Sequence, residues 1–120
     1  MKKGKKASGG KYKKSRKKRS YEIQGQRKIV RLAEEKKKSR KTRGGGKKTF
    51  LLGARFINVR TDGKSKRAEI KNVLETPSNR FLARQNILTK GTVVETNVGK
   101  VRITNRPSQE GIVNGILLKT

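Results

Sequence analysis

The sequence predicts an all-β fold, in which a small β-barrel-like core at residues 47–120 follows a long, basic, largely irregular arm at residues 1–46. Composition changes at the glycine triplet Gly44-Gly45-Gly46. Residues 1–46 contain 20 Lys and Arg, three acids and nine apolar residues, whereas residues 47–120 contain 15 Lys and Arg, five acids and 26 apolar residues. So few apolar side chains cannot offset the chain entropy of the arm, roughly 1–2 kcal/mol per residue for the backbone alone. We therefore expect the arm to be disordered when free.

Turn signals divide the core into short strands. Residues 49–60 form a long apolar run whose buried face changes, and Gly53 predicts a bulge or bend there. Asp62-Gly63 predicts a hairpin turn, and the Thr-Pro-Ser-Asn sequence at residues 76–79 ends the strand that follows. A barrel is preferred to a sandwich because so short a chain has few other ways to hide its strand edges. The predicted strands cover residues 49–60, 67–74, 92–96, 100–104 and 112–118.

The apolar residues on the last three of these strands are assigned to the core by default. This set comprises Val93, Val94, Val101, Ile103, Val113, Ile116 and Leu118.

One helix is predicted inside the arm, over residues 26–38. Ile29, Leu32 and Ala33 fall on one helical face, and Glu34 and Lys38 form a favourable i, i+4 pair. Three apolar residues stabilise little in isolation, so we expect this segment to be ordered by a partner or not at all.

Charge and composition exclude several classes of function. The chain carries 35 Lys and Arg against eight Asp and Glu, a formal net charge of +27, and it has neither His nor Cys. The usual ligand sets for zinc, iron–sulfur clusters and haem are therefore missing, as are imidazole and thiol catalysis. No apolar run is long enough to span a membrane. We expect an intracellular binding protein with a polyanionic partner, no catalytic residues, no metal and no cofactor.

Two acid-free basic runs are candidate RNA-binding segments, because each phosphate they neutralise releases condensed counterions. Residues 1–19 contain 11 Lys and Arg, and residues 36–48 contain eight. Two tyrosines offer planar faces for stacking on unpaired bases, and the glycines let the backbone approach phosphates. A solvated tail, an import signal and, more weakly, membrane-surface binding are the alternatives. The predicted RNA-binding residues here are Lys2, Lys3, Lys5, Lys6, Lys11, Tyr12, Lys13, Lys14, Arg16, Lys17, Lys18, Arg19, Tyr21, Arg40, Lys41, Arg43, Gly44, Gly45, Lys47 and Lys48.

Two segments resemble a known family. Residues 83–96, Ala-Arg-Gln-Asn-Ile-Leu-Thr-Lys-Gly-Thr-Val-Val-Glu-Thr, and their continuation at residues 98–115 are similar to a signature of the eukaryote- and archaeal-type ribosomal protein eight of the small subunit. Arg43-Gly44-Gly45-Gly46-Lys47 resembles an Arg-Gly-Gly-Asn-Arg/Lys element of that family, with Gly46 in place of Asn. The resemblance implies a short, archaeal-type member with a barrel-like core that binds small-subunit rRNA beside other ribosomal proteins in the cytoplasmic ribosome, without catalytic activity.

Further candidate RNA-binding residues lie in these two segments. Arg84, Gln85 and Asn86 form a donor-rich cluster in which the amides can pair with base edges while the arginine grips phosphate; the alternative is that they cap a turn. Lys100 and Arg102 share one strand face, which is either solvated or placed on RNA. The predicted set is completed by Lys90 and Arg106.

Two other functions remain open from the residues themselves. A free nucleic-acid chaperone or chromatin-type compacting protein would carry similar basic runs. A nucleic-acid enzyme is disfavoured because the chain lacks His and offers no defensible set of paired acids.

Overall fold

The computed structural model describes residues 4–13, 15–61 and 63–118. Strands dominate, which confirms the predicted all-β class. In chain order the elements are a three-residue 3₁₀ turn Ser20–Glu22, β1 Arg31–Leu32, β2 Lys36–Lys41, β3 Lys47–Ala54, β4 Phe56–Thr61, β5 Lys64–Glu75, α1 Arg80–Arg84, β6 Val93–Thr96, β7 Gly99–Ile103 and β8 Asn114–Leu117.

Five strands close into a barrel in the order β4-β5-β6-β7-β8. Neighbours in the chain pair antiparallel, and β8 returns to pair parallel with β4, with Val59 opposite Gly115. Closure leaves these strands without a free edge, which was the reason for predicting a barrel. The predicted hairpin also forms, because Thr61 pairs directly with Lys64 and Gly63 has a φ of +87°. Asp62 itself lies outside the described residues.

The barrel interior is filled by aliphatic side chains from every strand. Val94, Val101, Ile103 and Val113 are buried as predicted. Ile116 and Leu118 were wrongly predicted to be core residues, since they are 50% and 39% exposed. Regular alternation from the buried Val113 places Gly115 and the half-buried Leu117 inward, and it therefore points Ile116 and Leu118 outward.

A second, three-stranded sheet with the order β1-β3-β2 lies next to the barrel. Gly53 pairs with Arg31 of β1 on one side and with Lys36 of β2 on the other. The register shifts beside Gly53, which confirms the predicted irregularity, and the run of residues 49–60 breaks into β3 and β4 at Arg55. A Cβ on Gly53 would lie 2.5 Å from the backbone oxygen of Glu34, so the strands approach too closely there for a larger residue.

The helix predicted over residues 26–38 is wrong, because this segment forms β1 and the start of β2. Val30 is 1% exposed and Ile29 is 47% exposed, so the buried Val30 and the half-buried Leu32 follow the two-residue period of a strand. The backbone groups are satisfied from outside the segment: Leu88 N–H donates to Val30 O at 2.9 Å, and Ala33 N–H donates to Ala54 O at 3.3 Å. Tertiary pairing overrides the weak local helical pattern.

The molecule is elongated, with principal extents of 64 × 39 × 25 Å. Its Cα radius of gyration is 20.5 Å, against about 14 Å for a compact chain of this length. The predicted boundary at residue 46 lies in the turn between β2 and β3, so strand pairing crosses it. N-terminal to β1, the described chain has the Ser20–Glu22 turn and a small Lys5–Lys11 bridge as its regular features. Among the described residues, no helix has the length and hydrophobicity needed to cross a bilayer.

Replacing Gly115 with alanine should weaken barrel closure. The new Cβ would lie 2.5 Å from Val101 Cγ1 and 2.9 Å from the backbone oxygen of Arg102. Over-packing of this kind costs roughly 1–3 kcal/mol, so thermal unfolding of Gly115→Ala should occur at a clearly lower temperature than that of the wild type. Gly25→Ala is the matched control because no described atom lies within 4 Å of its Cβ position. Equal melting temperatures for both variants would contradict the close packing at β8.

Candidate nucleic-acid interface

Strands β2 and β3 form a hairpin that carries unbalanced positive charge. We define the basic hairpin as β2, its turn at residues 42–46, and Lys47 and Lys48 of β3. Arg40 faces Lys48, and Lys41 faces Lys47, in the antiparallel register. All four side chains are exposed. Like charges directly opposite each other destabilise a sheet, so this hairpin carries unfavourable repulsion within its own two strands.

The turn of the basic hairpin is held by backbone and hydroxyl groups. Thr42 donates to Gly46 O twice, from its N–H at 2.7 Å and from its Oγ1 at 2.9 Å, and Gly45 N–H donates to Thr42 O at 3.3 Å. Gly44 and Gly45 both have a φ of +85°, a region that glycine enters without strain. The turn therefore closes tightly while Arg43 remains exposed at its tip.

Lys28 joins the arm to the base of the basic hairpin. Its Nζ lies 3.7 Å from the centroid of the Phe50 ring, a cation–π contact, and the Phe50 side chain is 7% exposed. Lys28, Lys47 and Lys48 line a shared groove together with Gln109. Lys28 of the arm therefore lies beside the cations of the hairpin.

Most of the arm's predicted contact residues are exposed. A small turn folds Lys5 opposite Lys11, with Lys6 N–H donating to Gly10 O at 2.9 Å. Tyr12 and Tyr21 are 55% and 74% exposed, so their faces are open for stacking. Lys2, Lys3 and Lys14 were also predicted to bind RNA and lie outside the described residues.

Arg16 differs from the other arm cations because it is held by a carboxylate. Its guanidinium donates to both oxygens of Glu22, at 2.6 and 2.8 Å, and the Arg19 N–H donates to the same carboxylate at 3.0 Å. These contacts, that of Arg16 first, lower the pKa of Glu22 and keep it ionised, and the same hydrogen bond raises the pKa of Arg16. The charge of Arg16 is thus partly neutralised by Glu22 within the arm.

Other acids are also paired near their own strands. Glu35 contacts Lys37 at 2.5 Å and Arg67 at 3.6 Å, and the hydrogen bond from Lys37 is the main cause of its lowered pKa. Glu69 pairs with Arg55 at 2.5 Å. Because Glu35 precedes β2, its pairing lies at the end of the hairpin away from the turn, where it leaves the cations of the tip uncompensated.

The predicted cluster Arg84, Gln85 and Asn86 ends helix α1. Asn86 has a φ of +52°, the one positive φ among the described non-glycine residues. Its N–H donates to Ala83 O at 3.0 Å, and the next N–H, of Ile87, donates to Leu82 O at 3.0 Å. This paired arrangement is the Schellman helix end, in which asparagine is a natural substitute for glycine. Arg84 and Gln85 are exposed, whereas Asn86 is half-buried.

The remaining predicted residues divide between two places. Lys100 and Arg102 point outward from β7 as their alternation predicted, with Lys100 opposite Glu95 and Arg102 opposite Val93 on β6. Lys90 and Arg106 meet elsewhere, at a crevice of about 410 Å³. The two places adjoin, because Lys90 also lines a neighbouring pocket together with Arg102.

Arg27 and Lys28 complete the rim of that crevice and were missed from sequence. Both residues lie outside the two basic runs, at residues 1–19 and 36–48. They also belong to the segment that the sequence predicted to be a helix. Recognising the strand period of Val30 and Leu32 would have placed them beside the barrel. Among the described residues, no group of three His, Cys, Asp or Glu side chains converges on a potential metal site.

Comparison with known proteins identifies the family. The sequence model described as ribosomal protein S8e matches residues 1–118. The chain belongs to the ribosomal protein S8e family. Proteins named small ribosomal subunit protein eS8 are 46% identical in Nanoarchaeum equitans, over 88% of this chain and 84% of the relative, and 44% identical in Staphylothermus marinus, over 95% and 91%. The Methanosarcina barkeri protein of that name is 39% identical over 95% and 93%.

The S8e match confirms the resemblance found in the sequence and extends it across the arm. Its matched range begins at residue 1 and includes the basic hairpin, the α1 cluster and the barrel. Arm, hairpin and barrel are therefore parts of one S8e-family chain.

Two substitutions at Asn86 separate helix termination from RNA contact in this S8e-family protein. Asn86→Ala places an ordinary residue at positive φ and should lower the free energy of unfolding by about 1 kcal/mol. Asn86→Gly adopts that backbone without strain and should leave stability nearly unchanged. Urea denaturation measures both values. If RNA affinity falls equally in both variants while only alanine destabilises, the Asn86 side chain also contacts RNA.

Proposed function

We propose that this protein is a structural constituent of the small ribosomal subunit, where it binds and stabilises small-subunit rRNA beside neighbouring ribosomal proteins. The basic hairpin is the observation that carries this proposal, since its cations face cations and an anionic partner would relieve their repulsion. Membership of the S8e family points to the ribosome as the source of that partner. The role is binding and not catalysis, and its place is the cytoplasmic ribosome.

The hairpin is built to lie between phosphate backbones. Alternate side chains of a strand point to opposite faces, so Lys36, Lys38 and Arg40 share one face of β2 while Lys37 and Lys41 share the other. Cations on both faces can neutralise two RNA segments at once. A-form RNA is recognised mainly through its shape, phosphates and 2′-hydroxyls, which suits a rigid ribbon of point charges.

The arm adds contacts that become ordered on RNA. Residues 4–13 and 15–29 supply few buried side chains and many exposed cations, so a free arm gains little from folding. Phosphates would remove the mutual repulsion of its lysines, and Tyr12 and Tyr21 can stack on unpaired bases. From Val30 onward the chain is held by the barrel and needs no RNA.

Sucrose-gradient sedimentation tests the cellular role. The full-length protein should sediment with small ribosomal subunits at moderate magnesium and move to the top of the gradient after ribonuclease treatment. Sedimentation with genomic DNA, or at the top without ribonuclease, would contradict the proposal and favour a compacting protein or a free chaperone.

Neutralising the tip of the basic hairpin should flatten the salt dependence of RNA binding. Changing Arg40, Lys41, Lys47 and Lys48 together to glutamine removes four phosphate contacts. The negative slope of log affinity against log salt should therefore become shallower by roughly 3. The matched control changes four exposed barrel cations to glutamine, which are Arg60, Lys64, Lys66 and Lys71. Filter binding to a small-subunit rRNA fragment measures both slopes. Equal losses in the two variants would show that net charge alone matters.

Backbone NMR of the free protein checks where order begins. Amides of residues 4–13 and 15–29 should be sharp, poorly dispersed and unprotected, whereas Val30, Leu32 and the β2–β3 hydrogen-bonded amides should be dispersed. Addition of rRNA should broaden or shift the arm signals. Protected, dispersed amides before residue 29 without RNA would overturn this division.

A further inference from the structure

A crevice of about 410 Å³ has walls from three parts of the chain, and Ser78 and Leu82 complete its lining. One wall is the arm just before β1, the second is the segment that follows α1, and the third is the loop after β7. Leu88 N–H donates to Val30 O at 2.9 Å, and Leu51 N–H donates to Pro107 O at 3.1 Å. These bonds connect Val30, Leu88 and Pro107, one residue of each wall, to the folded core.

The crevice has an apolar floor and a cationic rim. Leu88 and Pro107 are buried at its base, and Ile29 stands at its mouth with 47% of its surface exposed. Its volume falls within the range of about 300–1,000 Å³ that is usual for small-ligand sites. Among the described residues that line it, four are basic and none is acidic: Arg27, Lys28, Lys90 and Arg106.

We propose that this crevice receives a single unstacked base of the bound RNA. This inference rests on the proposed function and specifies how part of the RNA is recognised. The apolar floor suits the face of a base, while Arg27 and Arg106 offer guanidinium planes for stacking and charges for the flanking phosphates. The hydroxyls of Ser78 and Ser108 lie on the lining and can reach base edges.

Continuity with the basic hairpin favours RNA as the occupant. Lys28 lines the crevice and also the groove formed by Lys47 and Lys48. A strand whose phosphates follow the hairpin therefore passes the mouth of the crevice. A duplex is too wide to enter, so the base must be unpaired, at a bulge, a loop or an end.

The experiment compares two RNA stem-loops with equal numbers of phosphates, using the full-length protein at one fixed salt concentration. One carries a single bulged 2-aminopurine, and the other has the same base paired within the stem. The wild type should bind the bulged RNA about 10-fold more tightly, a typical contribution for one stacked base. The 2-aminopurine fluorescence should change on binding only when the base is bulged.

Ile29→Ser is the decisive variant, because its exposed side chain can change without disturbing the core. The preference for the bulged RNA should fall to about 2-fold or less, with affinity for the paired RNA unchanged. Ile23→Ser is the matched control, since Ile23 is also exposed, at 63%, and does not line the crevice. Arg106→Gln should weaken binding of the bulged RNA more than that of the paired RNA.

The outcomes separate the two proposals. If neither RNA binds, the proposed function fails. If the wild type binds both RNAs equally, or if Ile29→Ser and Ile23→Ser behave alike, the crevice does not hold a base, although RNA binding stands. A peptide of alternating Asp and Leu that displaces the bulged RNA from the wild type but not from Ile29→Ser would assign the crevice to an acidic protein segment and overturn the proposal.

Discussion

Two backbone hydrogen bonds hold the basic N-terminal part of this protein on its barrel. Leu32 N–H donates to Asn86 O, and Leu88 N–H donates to Val30 O, both at 2.9 Å. They bring Val30 into the shared core and position β1 for its parallel pairing with β3. The direction of the basic hairpin follows from that pairing. The same contacts form a wall of the crevice, so the junction positions both β1 and that wall.

Charge repulsion is the opposing constraint. A net charge of +27 on 120 residues disfavours any compact state, and the basic hairpin places part of that charge with cations opposite cations. The hairpin is held despite this repulsion because Leu51 and Ala54 of β3 are buried in the same core as the barrel residues. A ligand that binds the folded form at 100 times its Kd adds about 2.7 kcal/mol of stability. RNA would therefore act as a structural part of the hairpin as well as its target.

The sequence predicted the barrel well because its strands are bounded by local signals. Asp62-Gly63, the Pro77 segment and the alternation around Val101 each depend on near neighbours, and β5, β6 and β7 form where expected. Failures occur where distant residues decide. The segment at Val30 is a strand because Ala54, Asn86 and Leu88 supply its backbone partners. The crevice likewise joins residues about 80 positions apart, and no local period indicates that Arg27 and Arg106 share a rim. For Asn86 the sequence left two roles open, RNA contact and capping of a turn. Its positive φ in the structure favours the capping role.

The parallel pairing of β4 with β8, the seam that closes the barrel, also sets when the barrel can close during synthesis. Asn58 and Asn114 face each other across β4 and β8 and are separated by 56 residues. Each antiparallel pair of the barrel can form once its second strand has been synthesised, but this seam must wait for β8. Pairings of such large sequence separation slow folding, because loop entropy is lost before the contact is gained. A chain made from its N-terminus therefore exposes its lysine-rich segments to nucleic acid well before the domain can close. Assembly on RNA and completion of the fold can then proceed together rather than in succession.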